Sequence, residues 1–162
     1  MNVQAIFNLQ FFLSFVVWGA AAKWLITPWL ESKPPNETLS WLAFPHMFRH
    51  LGLVFLVPGV VAQPLPPAFA NPAAYGDLLA GVLALLAFAA LRANWSGALA
   101  LVWLFNIVGT VDLLYAVTVG TLNDASSQMG SAWYIPTFIV PLLLVTHFMI
   151  FARLLRRGRR MK

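Results

Sequence analysis

The stretch PHMFRH, residues 45–50, runs directly into the apolar segment LGLVFLVPGVVA, residues 51–62. It places two of the three histidines of the chain, and an arginine, where a long apolar segment begins. Inside a lipid bilayer such side chains are costly unless they reach the interface or meet polar partners within a helix bundle. The stretch therefore marks the start of a membrane span and is the leading candidate for a functional site.

The composition is that of a membrane protein. The 162 residues are 60% hydrophobic and only 9% charged, with a mean hydropathy of +0.78. Soluble domains carry about 25% charged residues, so most of this surface must face a solvent other than water. The chain has no cysteine, which excludes disulfides, thiolate metal sites and cysteine nucleophiles.

Apolar runs of the length that a membrane-crossing helix needs, roughly 20 residues, predict the fold class. We expect an all-α polytopic membrane protein, a bundle of five transmembrane helices that forms a single integral membrane domain over residues 1–162. Asn71 followed by Pro72 is a typical helix start and sets the beginning of the third span. The expected spans are residues 5–25, 44–63, 72–92, 98–120 and 132–155.

The basic residues predict the orientation. Five spans put the termini on opposite sides, and a cytoplasmic tail, residues 153–162, then leaves all ten Lys and Arg residues in the cytoplasmic half. The positive-inside rule predicts an outside N-terminus and a cytoplasmic C-terminus, in a bacterial inner membrane. The pI of about 10.3 reflects an excess of basic residues. We expect those of the tail to contact anionic lipid headgroups, and we expect no nucleic acid partner.

Counting depth along the spans brings several polar side chains to one level. At about 1.5 Å per residue, His50, Asn106 and His147 all lie roughly 20 Å from the outer ends of their helices. Arg49 is adjacent in sequence, and His46, four residues before His50, would share its face of an α-helix. This set predicts either a polar pocket for a hydrophobic or lipid-like small molecule or a simple polar contact between helices.

The histidines allow two further interpretations. His50 and His147, on separate spans, are candidate axial ligands of a haem b, the one cofactor that the sequence suggests. His46, His50 and His147, completed by Glu31 or Glu37, are candidate ligands of a metal ion. Since no phosphate-binding glycine loop or nucleophile elbow occurs, an enzyme would have to act through this histidine cluster alone.

Two carboxylates suggest a proton relay. Asp112 lies about 12 Å inside the fourth span with no basic residue expected at its level, so it needs a hydroxyl, a proton or a cation as partner. Asp77 is expected near the start of the third helix, where the helix dipole favours its charge. Together with Tyr115, the two residues form a candidate relay towards His147 and His50.

These patterns favour binding over catalysis. The preferred hypothesis is a membrane protein that binds a hydrophobic or lipid-like small molecule, or an accessory subunit that associates with another membrane protein or a second copy of itself. The alternatives are a b-type haem electron carrier and a proton-coupled carrier of small solutes.

Overall fold

Helices make up 86% of the protein in a computed structural model that describes residues 2–62 and 64–160, with side chains described to residue 157. Within these ranges there is no β-strand, only an isolated bridge between Pro58 and Val61. The all-α prediction is confirmed. The expected end of the second span at Gln63, and tail residues 161–162, lie outside the described residues.

The helices follow one another with short connections. In chain order the helical elements are α1 (Val3–Ala21), a π turn (Ala22–Ile26), α2 (Thr27–Glu31), α3 (Pro35–Ala43), a 3₁₀ helix (Phe44–Leu56), α4 (Pro67–Arg92), α5 (Ala98–Leu122), two 3₁₀ turns (Ala125–Gln128 and Gly130–Trp133), a second π turn (Ile135–Ile139) and α6 (Val140–Arg160).

Four helical stretches are long and apolar enough to cross a membrane, as expected for a membrane protein. They correspond to the first, third, fourth and fifth expected spans: Val3–Glu31, Pro67–Arg92, Ala98–Leu122 and Gly130–Arg157. The second expected span, residues 44–63, is not among them. Its helix stops at Leu56, and residues 57–62 form turns and bends. A count of five spans is therefore not confirmed.

The third span begins earlier than its sequence suggested. α4 starts at Pro67, because proline is pre-organised for the first helical position, so Asn71 is not a cap and Pro72 lies inside the helix. Asp77 is then ten residues from the helix start, about 15 Å along the axis. The helix dipole falls off within the first turn, so it is not what stabilises the charge of Asp77.

Hydrogen bonds between connections define two ends of the bundle. At one end, which we call the basic end, Asn36 donates to Asn94 Oδ1 at 2.9 Å and accepts from Arg157 Nη1 at 3.2 Å. At the opposite end, the Ser131 N–H donates to the carbonyl oxygen of Val60 at 2.8 Å. The chain thus runs from the basic end to the opposite end between residues 36 and 60.

The segment Pro35–Leu56 connects the two ends of the bundle, and it packs against α4 along its length. The buried face of α4 consists largely of small residues, which allow neighbouring backbones to approach closely. These residues are Ala70, Ala73, Ala74, Ala80, Gly81, Ala84, Ala87 and Ala90. By contrast α1, all of whose residues are described, contains no buried residue and lies at the periphery.

Candidate functional site

The 3₁₀ helix decides which side chains of the PHMFRH stretch face the interior. With three residues per turn, positions three apart eclipse one another. His50 is exposed, with its Nδ1 only 3.0 Å from the carbonyl oxygen of Met47. The expectation that His46 and His50 share a face assumed α-helical spacing, and the structure does not place them together. The buried residues of this helix are His46, Arg49, Gly52 and Phe55.

Arg49 is the centre of a buried network, and its side chain has no exposed surface. Nε donates to Asp77 Oδ1 at 2.7 Å, Nη1 donates to the carbonyl oxygen of Gly109 at 3.0 Å, and Nη2 donates to Asp112. A guanidinium presents five N–H donors in a fixed planar fork, which explains how it binds groups from two helices at once. Asp112, for which no basic partner was expected, is therefore paired with Arg49.

His147 and Asn106 extend this network on α6 and α5. Asn106 Nδ2 donates to the backbone carbonyl of His147 at 3.3 Å, and Asn106 Oδ1 lies 2.7 Å from His147 Nδ1. Because an amide oxygen only accepts, the proton of the imidazole is on Nδ1. Nε2 is then an acceptor, and it faces Arg49 Nη1 at 3.5 Å. The structure thus brings Asn106, His147 and Arg49 of the expected set together, but leaves His50 out.

His46 packs beside His147, with ring centroids 4.1 Å apart. Its Nε2 lies 2.9 Å from Thr146 Oγ1, whose own hydroxyl is 3.0 Å from the carbonyl oxygens of Leu142 and Leu143. When the hydroxyl donates its proton to one of these carbonyls, His46 Nε2 is the donor to Thr146. His46 Nδ1 then has no partner, the one such buried side-chain nitrogen or oxygen among the described residues.

Glycines leave room for the two carboxylates. A Cβ atom at Gly52 would collide with the carboxylate of Asp77, and one at Gly76 would collide with that of Asp112. Each carboxylate therefore lies over the bare backbone of a neighbouring helical segment, a close approach that only glycine permits.

Gly109 leaves room for the side chain of Arg49. A Cβ atom there would be 2.8 Å from both Arg49 Nη1 and His147 Cε1, closer than packed atoms approach. Sequence reasoning did not link these glycines to the charged side chains although a signal was present: Gly52 is three residues after Arg49, Gly76 directly precedes Asp77, and Gly109 is three residues before Asp112. A glycine near every charge within an apolar run indicates that the charge is accommodated by close packing.

The histidine pair proposed for haem is not brought together. His147 is completely buried whereas His50 is exposed on the other side of its helix. Among the described residues no group of three or more His, Cys, Asp or Glu side chains is placed to hold a metal ion. The three-histidine metal site therefore also has no counterpart in this arrangement.

The remaining candidate residues lie outside the network. Tyr115 is 47% exposed on the surface of α5, away from the relay expected for it. Glu31 and Glu37 are at the basic end, where Lys33 Nζ donates to Glu37 at 3.1 Å.

A narrow apolar cavity reaches the network from the opposite end of the bundle. Its volume is about 40 Å³, enough for a few water-sized molecules. Asp77 is its charged lining residue, and Gln4 and Ser126, joined by a 2.6 Å hydrogen bond, line it near the chain connections. A second cavity of about 40 Å³ is also lined by Asp77 and continues to Arg49. Cavity space therefore borders both Asp77 and Arg49.

The fold and the site together define a class, a small polytopic helical protein of membrane-spanning composition with a hydrogen-bonded charged network at its centre. The chain matches the family described as "Domain of unknown function (DUF8737)" over residues 6–155, and it belongs to that family. The matched range includes every member of the network. No curated protein and no solved structure matches the chain.

Proposed function

We propose that the protein is a proton-coupled carrier of a small solute, with Asp77 and Asp112 as the proton-binding groups. The observation that carries the proposal is the imbalance of charge around Arg49. One guanidinium contacts two carboxylates, so the fully ionised group would have a net charge of −1. An uncompensated charge in a low-dielectric interior costs several kcal/mol. A bound proton removes this cost, and its gain or loss can be linked to movement of the arginine.

The depth of the two carboxylates supports this proposal. Asp77 is ten residues from the start of α4 and Asp112 is ten residues from the end of α5. Each therefore lies about 15 Å from the opposite end, near the middle of a hydrocarbon core about 30 Å thick. Coupling-ion sites of membrane carriers are found at this depth. The narrow cavity gives water and protons a route to Asp77.

The other polar groups of the network already have hydrogen-bond partners, which favours proton binding rather than a polar ligand pocket. Asn106, His147 and Arg49 use their hydrogen-bonding groups on one another and on the backbone. They are buried and do not line the narrow apolar cavity. A ligand head group would have to break these bonds to use them, whereas binding of a proton at Asp77 or Asp112 leaves the bonds of Asn106 and His147 in place.

We further propose five membrane crossings in a bacterial inner membrane, with Pro35–Leu56 as the additional one. Its 9 α-helical and 13 3₁₀ residues have a combined length of about 40 Å, sufficient for the hydrocarbon core. The passage of this segment between the two ends of the bundle supports the same topology. The positive-inside rule then assigns the basic end and the C-terminus to the cytoplasm and the N-terminus to the outside.

The test detects the proton itself, because the solute is unknown. Infrared spectra of the protein in lipid should contain the C=O stretch of a protonated carboxyl group near neutral pH. The band should disappear or shift in Asp112→Asn or Asp77→Asn and remain in Asp124→Asn, which alters an exposed carboxylate outside the network. Absence of a protonated carboxyl in the wild type would contradict the proposed charge compensation.

Transport requires a second measurement. In proteoliposomes with an internal pH dye, a potassium diffusion potential should drive proton entry faster with the wild type than with Asp112→Asn. Asp124→Asn should match the wild type. A protonated carboxyl with no proton entry above that of protein-free vesicles would reduce the network to a structural role.

The narrow cavity favours a second candidate function, binding of a hydrophobic small molecule. Its walls include Phe7, Phe11, Phe55 and Phe69, with Asp77 at its inner end, a lining that suits an apolar body with a cationic or donor group. Tetramethylammonium, a compact apolar cation, is closer in size to so small a cavity, and its saturable binding should be lost in Asp77→Asn but kept in Asp124→Asn. Equal binding by both variants would exclude Asp77 from the site.

A further inference from the structure

The basic end contains a cleft of about 520 Å³ between the α2–α3 region and α6. Its floor is apolar and well packed, since Leu30 and Leu39 are 1% and 3% exposed. Its walls carry a concentration of cationic side chains from two separate parts of the chain. The lining residues are Leu30, Glu31, Lys33, Pro35, Thr38, Leu39, Arg153, Arg156 and Arg157.

The cleft has an excess of positive charge. Four basic residues and one acidic residue line it, a sum of +3, and the ion pair of Lys33 with Glu37 reduces this to +2. Among the described residues, none of the three cleft arginines has a carboxylate within 4.0 Å. Arg157 is instead held by the neutral side chain of Asn36, which orients its guanidinium without cancelling its charge.

We propose that this cleft is a binding site for a phosphate group, supplied in the first place by an anionic phospholipid headgroup. Guanidinium groups bind phosphate oxygens through paired N–H donors, and Arg153 and Arg156 are available for such contacts. On α6, Leu155 lies between the cleft arginines in sequence and is 56% exposed, an apolar surface that the acyl chains of a lipid can cover. This inference is independent of the proposed carrier activity.

The neighbouring tryptophans support a lipid over a soluble anion. Trp29 and Trp41 form an edge-to-face pair with ring centroids 5.2 Å apart, and both are exposed. Lys33 Nζ lies 4.5 Å from the centroid of Trp29. Tryptophan beside a basic residue is typical of the headgroup level of a membrane, so the cleft opens where phosphodiesters are abundant.

Native mass spectrometry of the purified full chain tests the site. With short-chain phosphatidylglycerol and phosphatidylcholine as competing probes, we expect one saturable phosphatidylglycerol per chain. The double substitution Arg153→Gln/Arg156→Gln should weaken this binding about 30-fold. Each basic residue near anionic lipid headgroups raises the affinity about fivefold. Arg92→Gln/Lys23→Gln removes the same charge outside the cleft and should leave the affinity unchanged.

Inorganic phosphate distinguishes the two sources of the phosphate group. If it fails to displace phosphatidylglycerol, the site is a lipid site. If it displaces the lipid and binds alone with the same dependence on Arg153 and Arg156, the ligand is a soluble phosphate-bearing anion. Equal weakening by the cleft variant and the control variant, or no preference for phosphatidylglycerol in the folded wild type, would overturn the proposal.

Discussion

A guanidinium in the middle of a helix bundle has no bulk water to bind, so its neighbours decide whether its charge is tolerated. Arg49 has Asp77, Asp112 and the Gly109 carbonyl as acceptors. A lysine could not replace it, because a single ammonium group cannot contact partners on both sides in one plane. The position therefore requires arginine for geometric as well as electrostatic reasons.

At the residue scale, the glycine beneath the arginine gives the sharpest prediction. Gly109→Ala should lower the free energy of unfolding by about 1–3 kcal/mol, the usual effect of overpacking, because the added methyl displaces Arg49 or His147. Thermal unfolding in detergent, followed by tryptophan fluorescence, measures the change.

Gly19→Ala is the matched control. A Cβ atom at Gly19 meets nothing within 4 Å, and alanine is the better helix former, so Tm should stay the same or rise. Equal losses of Tm in the two variants would mean that Gly109 is not a contact point of the network.

At the level of single side chains, the sequence predicted part of the site. Asn106 and His147 could be placed together because both lie well inside long apolar runs, where helix length fixes depth. Arg49 belonged to the same predicted set, but the exclusion of His50 could not be predicted, since it depends on the number of residues per turn in a short segment. The pairing of Asp112 was missed for the same reason.

At the scale of elements, the 3₁₀ helix is the decisive one. At about 120° per residue, position 55 is on the same face as His46 and position 50 is turned away. At about 100° per residue, as in an α-helix, position 50 would return close to that face and position 55 would be opposite. The burial of Phe55 and exposure of His50 follow from the tighter helix.

Spin labelling can distinguish the two helix types, and the chain lacks cysteine, so no background substitution is needed. A label at His50→Cys should be mobile and accessible to a lipid-soluble relaxation agent, and one at Phe55→Cys should be immobile and protected. The reverse pattern would indicate an α-helix.

The long elements were predictable where the short ones were not. α5 and α6 follow from long apolar runs, which are bounded by polar connections around α5 and by the basic tail after α6. The start of α4 at Pro67 was missed because two prolines could each have been the first residue of the helix. The helix begins at Pro67, and Pro72 lies inside it. The helix type of Phe44–Leu56 could not be predicted from the sequence, because apolar residues occur on nearly all sides of this helix.

At the scale of the whole molecule, the number of crossings decides on which side each terminus lies. An odd number separates the termini, and an even number puts them on one side. With the proposed crossing of Pro35–Leu56, we expect an N-terminal tag to be accessible in intact spheroplasts and a C-terminal tag only in inside-out vesicles.

Two internal positions make this experiment conclusive. Asn94→Cys at the basic end should react with a membrane-impermeant maleimide only from the cytoplasmic side, and Ser127→Cys at the opposite end only from outside. Both positions are exposed. Reaction of both from the same side would show that the two ends of the bundle do not correspond to two sides of a membrane.

The peripheral position of α1 has a consequence for access. α1 supplies Phe7 and Phe11 to the wall of the narrow cavity, yet it buries none of its own residues and is joined to the chain before α6 by the side chains of Trp18 and Trp133. A helix that buries none of its residues can move at a lower cost than the packed helices around the cavity. An amphiphile dissolved among the acyl chains would enter the cavity past α1. Its concentration in the bilayer, rather than in water, would therefore govern how fast it reaches Asp77.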